Sequence, residues 1–260
     1  MPDQSMNRIL DQYRTLLEEL DAWFAGCLDQ TVPGVIRCGE GCNACCRGLF
    51  DITLMDAALL QQGFRRLPPA LRQAVLDRAR PRLSELAALW PGFGEPYLLN
   101  ALPDLNWTEM PEEDETPCPL LGEDGRCLVY AWRPAICRLH GLPNIDLSGE
   151  SFADTWCRLN FTDENPLERT DLRWGFRDNF AREIVLFREF SRRLLGFPVN
   201  ELDTFIPTAL FIDFRATDWQ EAFAAVGPPV PRPAQRDSSP DEGDLPAVNR
   251  YNEMGELLSL

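Results

Sequence analysis

Residues 38 to 46 read CGEGCNACC, which puts Cys38, Cys42, Cys45 and Cys46 within nine positions. Further along stand Cys118, Cys127, Cys137 and Cys157, and Cys27 lies apart. Gaps of two or three residues between cysteines let one turn of backbone aim successive sulfurs at a point about 2.3 Å from each, the zinc–sulfur distance, and iron clusters use similar loops. Gly39 and Gly41 make such turns sterically easy and expose amides that can donate to thiolate sulfur.

Disulfides and redox thiols are the competing uses of clustered cysteine. The opening stretch MPDQSMNRILDQYRTLLEELDAWF has acids interrupting every apolar run and no small-residue cleavage site, so it does not read as a signal peptide. No stretch approaches the roughly 18 apolar residues that a membrane span needs. The expected location is the cytoplasm, where clustered cysteines serve metals or catalysis more often than bridges. An odd count of nine and the adjacent pair Cys45–Cys46 also suit a disulfide framework poorly. A catalytic thiol at Cys45 or Cys46, activated by Arg47, lacks an evident paired base, and eight sulfurs exceed what a dithiol cycle requires.

The inventory narrows the chemistry further. Formal net charge is −16 and the isoelectric point is near 4.5, so the phosphate-neutralising attraction behind nucleic-acid binding is missing. Neither nucleic acid nor membrane is an expected partner; a protein partner stays open. All 25 basic residues are arginine and His140 is the single histidine, which excludes lysine Schiff bases and any site needing two histidines. Metal chemistry here is thiolate chemistry. His140, three residues after Cys137, reads as a packing or surface residue. Cys27 ends an amphipathic helix and reads as a small buried hydrophobe rather than a ligand. Arg37, Arg47, Arg126, Arg138 and Arg158 each adjoin a cysteine, and guanidinium groups there would offset the net negative charge of four thiolates around zinc or a [4Fe–4S] core.

Cys38-x3-Cys42-x2-Cys45 also has the spacing of the radical S-adenosylmethionine motif. That chemistry requires a β/α barrel around the loop, whereas helices flank this loop and no strand–helix alternation follows. The added Cys46 is foreign to that motif.

CGEGCNACC followed by CPLLGEDGRCLVYAWRPAICR resembles the CxxCxxCC, or YkgJ-like, cysteine-cluster family, described as zinc- or iron-chelating. The matching positions are Cys38, Cys42, Cys45, Cys46, Pro117, Cys118, Cys127, Tyr130, Arg133, Pro134, Cys137 and Arg138, with Cys157 as a later family cysteine. The resemblance covers residues 38 to 157, and the first gap holds three residues where the family name implies two. It implies that the eight cysteines other than Cys27 hold an iron–sulfur cluster or a zinc ion. It also reaches relatives of a flagellin lysine N-methylase thought to carry such a cluster, so a cluster-dependent, S-adenosylmethionine-using enzyme is the alternative to a binding role. No Gly-rich strand-to-helix loop for that cosubstrate is evident.

The elements that must position these residues read as mainly α. Ile9, Leu10, Tyr13, Leu16, Leu17, Leu20, Trp23 and Phe24 follow helical spacing, with Ser5 as cap. Thr53 caps TLMDAALLQQGF, and PPALRQAVLDRARPRLSELAALW continues the period with Pro81 as a kink or break. The period fails from Pro91 to Pro117, and EMPEEDETP reads as a solvated loop. CPLLGEDGRCLVY reads as a small hairpin around Gly-Glu-Asp-Gly. Pro134 suits the first turn of a helix that carries Cys137. Phe176, Phe180, Ile184, Phe187, Phe190 and Leu194 mark a long helix whose aromatic stripe is core. The expected organisation is one helical domain over residues 1–226, with irregular cysteine-bearing loops and the small hairpin, then a flexible, Pro-rich, acidic tail over 227–260.

Overall fold

The computed structural model describes residues 4–39, 41–102 and 114–226. About half of the chain is helical and the sheets are small two-stranded ones, so the fold is mainly α. The expected tail and the centre of the acidic loop lie outside the described residues.

Helix α1 (Gln4–Gln30) buries Ile9, Leu10, Tyr13, Leu16, Leu17, Leu20, Trp23 and Cys27, the stripe that a 3.6-residue period dictates. Ser5 sits inside this helix rather than capping it. Helix α5 (Phe176–Leu195) lays Phe176, Phe187 and Phe190 against the same core and stops at Gly196, whose φ of 86° is the left-handed conformation that ends helices. The indole of Trp23 donates to the carbonyl of Leu172 (2.9 Å), and its ring meets Phe176 edge to face.

A short strand β1 (Asp51–Thr53) runs directly into helix α2 (Leu54–Arg66). Thr53 caps α2 as its sequence position implies, its hydroxyl accepting the Asp56 amide at 3.0 Å. Helix α3 (Pro69–Leu89) continues through Pro81. Of the kink or break expected there, the break does not occur: Pro81 is exposed, as is Asp77, whose carbonyl loses its amide partner. The stretch after α3 buries Phe93 and Leu99 with Trp90, whose ring stacks on Phe205 with centroids 5.6 Å apart, and buries Leu98 in the core of α1 and α5.

Helix α4 (Ala135–Leu139) follows a 3-10 turn at Tyr130–Trp132. Strands β2 (Asn144–Ile145) and β3 (Ser151–Ala153) pair antiparallel. Strand β4 (Asp203–Phe205) pairs antiparallel with β1, Ile52 opposite Thr204, and leads into helix α6 (Ile206–Ala209); helix α7 (Trp219–Val226) closes the described chain. No helix among the described residues is long and apolar enough to cross a membrane.

The anchorage of α4 matters for the cysteines. The buried carboxylate of Asp56 accepts the Ala135 amide (3.1 Å) and the Tyr13 hydroxyl (2.8 Å), and Tyr13 also lies 3.1 Å from Glu183. Arg138, 2 % exposed, donates to the carbonyls of Arg133, Leu17 and Ala131 and pairs with Asp21. A five-residue helix has little intrinsic stability. These contacts hold it in place.

Candidate metal centre

Four segments bring the sulfurs together. In the first, the Cys42 amide donates to the Gly39 carbonyl and the Cys46 amide to the Asn43 carbonyl, both at 3.0 Å, giving two consecutive turns. Gly41 between them has a φ of 86° that side-chain-bearing residues rarely adopt. The second segment is stitched to the first: the Gly48 amide donates to Thr116 O and the Cys118 amide to Cys46 O, each at 2.9 Å. The hairpin expected over 118–130 is present in minimal form, with one antiparallel bridge between Leu121 and Cys127 flanked by hydrogen bonds from Gly122 to Arg126 and from Leu128 to Leu120. Asn43 ties its tip back to the first loop through the Gly125 carbonyl (3.3 Å).

The third segment is α4, with Pro134 at its N-cap and Cys137 in its first turn. The fourth is the loop of Cys157, whose amide donates to Gly141 O (3.3 Å). Asn160, 1 % exposed, fastens this loop: its Oδ1 accepts the Arg37 amide (2.7 Å), and its Nδ2 donates to Gly141 O (2.7 Å) and lies 3.2 Å from Cys38 Sγ. Gly141, at φ 117°, lets backbone approach that sulfur; a Cβ there would stand 2.9 Å from Cys38 Sγ.

Cys38, Cys42, Cys45, Cys46, Cys118, Cys127 and Cys137 line one cavity of about 510 Å³, with Phe24, Leu28, Leu60, Leu120, Val129 and Ile206 supplying much of its carbon wall. Cys157 is not on that wall, although its charge bears on Cys38. Among the described residues no three His, Cys, Asp or Glu side chains stand close enough to hold one metal ion; the sulfurs surround a space instead of a point. Cys27 is buried on α1, away from this wall, with burial pushing its thiol up to about 12.

Burial is the first influence on most of these thiols. It raises Cys38 and Cys127, pushes Cys118 up to about 11, and holds Cys137 well above the ordinary thiol range, where neighbouring sulfurs and Asp56 add to the effect. Contact between the adjacent Cys45 and Cys46 thiols raises the first and lowers the second. The surroundings carry preformed support for sulfur charge: the amides of Leu120 and Val129 hydrogen-bond to Cys118 and Cys127. A cation among such sulfurs replaces their protons and removes the cost of burying thiolate. An all-sulfur donor set with amide donors, and a glycine that makes room for one of the sulfurs, fits a thiophilic metal or cluster.

The expected ring of cysteine-adjacent arginines is only partly realised. Arg126 and Arg138 reach the cavity wall, but the Arg138 guanidinium is committed to Asp21 and backbone carbonyls, and Arg47 pairs with Glu115. The arginines whose charge favours the thiolates include Arg133, near Cys45 and Cys127, and Arg78, which bonds Pro119 O (2.8 Å) beside Cys118. Arg133 is itself held by Asp21 (2.7 Å) and lies 3.9 Å over the Tyr130 ring. Arg78 and Asn160 escaped sequence reasoning, since neither adjoins a cysteine and nothing in their spacing marks them. His140 lies on the cavity wall against Phe50, and burial lowers its pKa, which keeps the ring neutral.

Residues 37–158 match the model of the family CxxCxxCC, described as a "putative zinc- or iron-chelating domain". No curated protein and no solved structure matches the chain.

Proposed function

Taking residues 37–158 as a CxxCxxCC domain, whose description names zinc and iron as the metals chelated, we propose that this chain holds iron as a cysteine-ligated cluster of the [4Fe–4S] type. The ligands would come from Cys38, Cys42, Cys45, Cys46, Cys118, Cys127, Cys137 and Cys157. One observation carries the preference for iron: seven sulfurs line a single 510 Å³ cavity with a largely carbon wall. A structural zinc asks four sulfurs to converge on one point, each about 2.3 Å away. An inorganic cluster accepts thiolates at separated corners and so suits sulfurs dispersed around a space.

Such a cluster supplies one-electron exchange. The chain's own residues contribute the rest: the carbon wall limits water, the amides of Leu120 and Val129 and the amide of Asn160 direct hydrogen toward sulfur, and Arg133 offsets negative charge. These are the levers that set a cluster's potential. With a net charge of −16, the chain reads as a partner for protein rather than for nucleic acid or membrane, in the cytoplasm.

Anaerobic purification followed by elemental analysis tests the reading. Brown protein with broad visible absorption, and iron with acid-labile sulfide in equal amounts, is the expected result. Colourless protein with stoichiometric zinc would overturn the choice of iron while keeping the site.

The cavity also favours a second reading. Tyr130, Arg126 and Arg133 line the same cavity as the sulfurs, and a cluster-dependent methylase would need its cosubstrate to bind against such a wall. That reading requires binding of S-adenosylmethionine; calorimetry showing no heat of binding to the loaded protein removes it.

A further inference from the structure

An asparagine amide has two N–H donors at one end and a carbonyl acceptor at the other, so its neighbours fix which way it faces. Around Asn160 two neighbours are unambiguous. The Arg37 N–H is a donor and meets Oδ1 at 2.7 Å; the Gly141 carbonyl is an acceptor and meets Nδ2 at 2.7 Å. Exchanging the two ends would set donor against donor and acceptor against acceptor. The second Nδ2 hydrogen is thereby left for Cys38 Sγ, 3.2 Å away. A buried amide with both ends engaged is held in one orientation, and here that orientation delivers a hydrogen to a sulfur.

The backbone is strained at the same place. Phe161, the next residue, has a φ of 52°, in the left-handed region that a residue with a Cβ adopts only at a cost. It is buried in the main core, and its amide donates to Val35 O at 2.9 Å, three residues before Cys38. The Asn160 amide in turn donates to Cys157 O (2.8 Å). Strain of this kind persists only where the surroundings over-determine it, and it gathers at functional sites. The contacts that impose it here tie residues 157–161 to residues 35–38, once through the Phe161 amide and once through the Asn160 side chain.

We propose that Asn160 is a positioning residue of the metal centre: it holds Cys38 Sγ by an N–H···S hydrogen bond, the strained Asn160–Phe161 step aims its amide, and it draws electron density from Cys38 once that sulfur binds metal. Cys38 is thereby assigned as a ligand whose donor strength the protein sets. A hydrogen bond to thiolate is charge-assisted, and donors to ligating sulfur are among the levers that tune a bound metal or cluster. The proposal deepens the metal reading above; it rests on chelation by these cysteines and not on the metal being iron.

Protein purified anaerobically with its native metal is compared with Asn160→Ser, Asn160→Asp and Asn179→Ala, the last removing a buried asparagine of α5 that is not on the cavity wall. If the metal is an iron cluster, the readout is its midpoint potential; if it is zinc, cobalt(II) replaces it and the readout is the sulfur-to-cobalt charge-transfer band. Neither readout depends on how much metal a variant keeps. Loss of the N–H···S bond leaves Cys38 richer in electrons. Asn160→Ser should therefore lower the potential or move the band to longer wavelength, Asn160→Asp should go further in the same direction, and Asn179→Ala should change neither. An unmoved value in Asn160→Ser, or an equal shift in Asn179→Ala, overturns the proposal. A shift in Asn160→Asp alone also overturns it, because added charge and not the lost hydrogen bond is then acting. So does complete loss of metal from Asn160→Ser in protein whose circular dichroism matches wild type, since a positioning bond tunes the site without making it. Zinc in place of iron sinks the cluster reading while the cobalt band still decides this one; protein that holds neither metal sinks both.

Discussion

Asn160 is the non-cysteine side chain most closely bound into the sulfur site. It is buried and serves Arg37, Gly141 and Cys38 at once. Truncation to alanine takes the partly buried Arg37 amide's partner away, while the Gly141 carbonyl keeps the Cys157 amide, and a polar group left unpaired costs roughly 1–3 kcal/mol. Asn160→Ala is therefore expected to lose about 1–3 kcal/mol in denaturant unfolding and to retain less metal, whereas Cys27→Ser should leave metal content unchanged. The latter still costs about 1–3 kcal/mol, because a hydroxyl replaces a thiol buried in the core stripe of α1. A different residue-scale test concerns the carboxyls beneath α4. Burial raises Asp56 to about 6 and Glu183 to about 7, with the charge of Asp56 adding to the second. Their folded-state values exceed the unfolded ones, so their contribution is full in acid, below about pH 4, and is lost as pH rises through 6 to 7. Glu183→Gln should accordingly gain roughly 1–2 kcal/mol over wild type at pH 8 and little at pH 4, as equilibrium unfolding at the two pH values would show. Cysteine type and spacing exposed the sulfurs in the sequence; Asn160 and Glu183 stayed hidden because polar residues take on such roles only through neighbours distant in the chain.

At the scale of elements, the packing of α2 on the Tyr130–Trp132 turn is the most exacting contact near the site. Gly63 sits under Trp132 so tightly that a Cβ would meet the ring at 2.4 Å, while Arg66 covers the ring at 4.4 Å. Gly63→Ala must push the indole aside, and with it the turn that presents Tyr130 and Arg133. The expected result is a loss of about 1–3 kcal/mol, altered tryptophan fluorescence and weakened metal retention, with helix content intact by circular dichroism. Helices α1, α2 and α5 were legible because each carries a long apolar stripe or a cap, and α3, which buries only Val75, Ala79 and Leu86, from its helical spacing after Pro68 and Pro69. Pro81 does not break α3 because it stands on the solvent side, which no single position in a helix discloses. The β1–β4 pair was not legible at all: three-residue strands some 150 positions apart have too few residues for a period, and each forms only against the other.

For the molecule as a whole, the sulfur site should couple metal to stability. Buried thiols are held above their ordinary range chiefly by desolvation, so the metal-free state keeps them protonated while the loaded state gains the full binding energy. A ligand at a thousand times its dissociation constant stabilises the folded state by about 4 kcal/mol. Chelator-stripped protein should unfold at distinctly lower temperature than loaded protein in calorimetry, and metal reloading should restore it. Acidification should release metal as protons compete for the sulfurs, in contrast to the carboxyl pair, whose contribution is largest in acid.

From its composition and spacing alone, the chain declared a mainly helical fold and an all-thiolate metal chemistry, because helical stripes are local patterns and an inventory of one histidine and no lysine leaves sulfur as the soft donor. Tertiary structure alone decided which sulfurs share a wall, that Arg138 turns inward to Asp21 and backbone carbonyls, and that Asn160 reaches Cys38 across 122 positions. Those outcomes depend on hydrogen bonds between loops without periodicity, and such bonds exist only after the helices have brought the loops together.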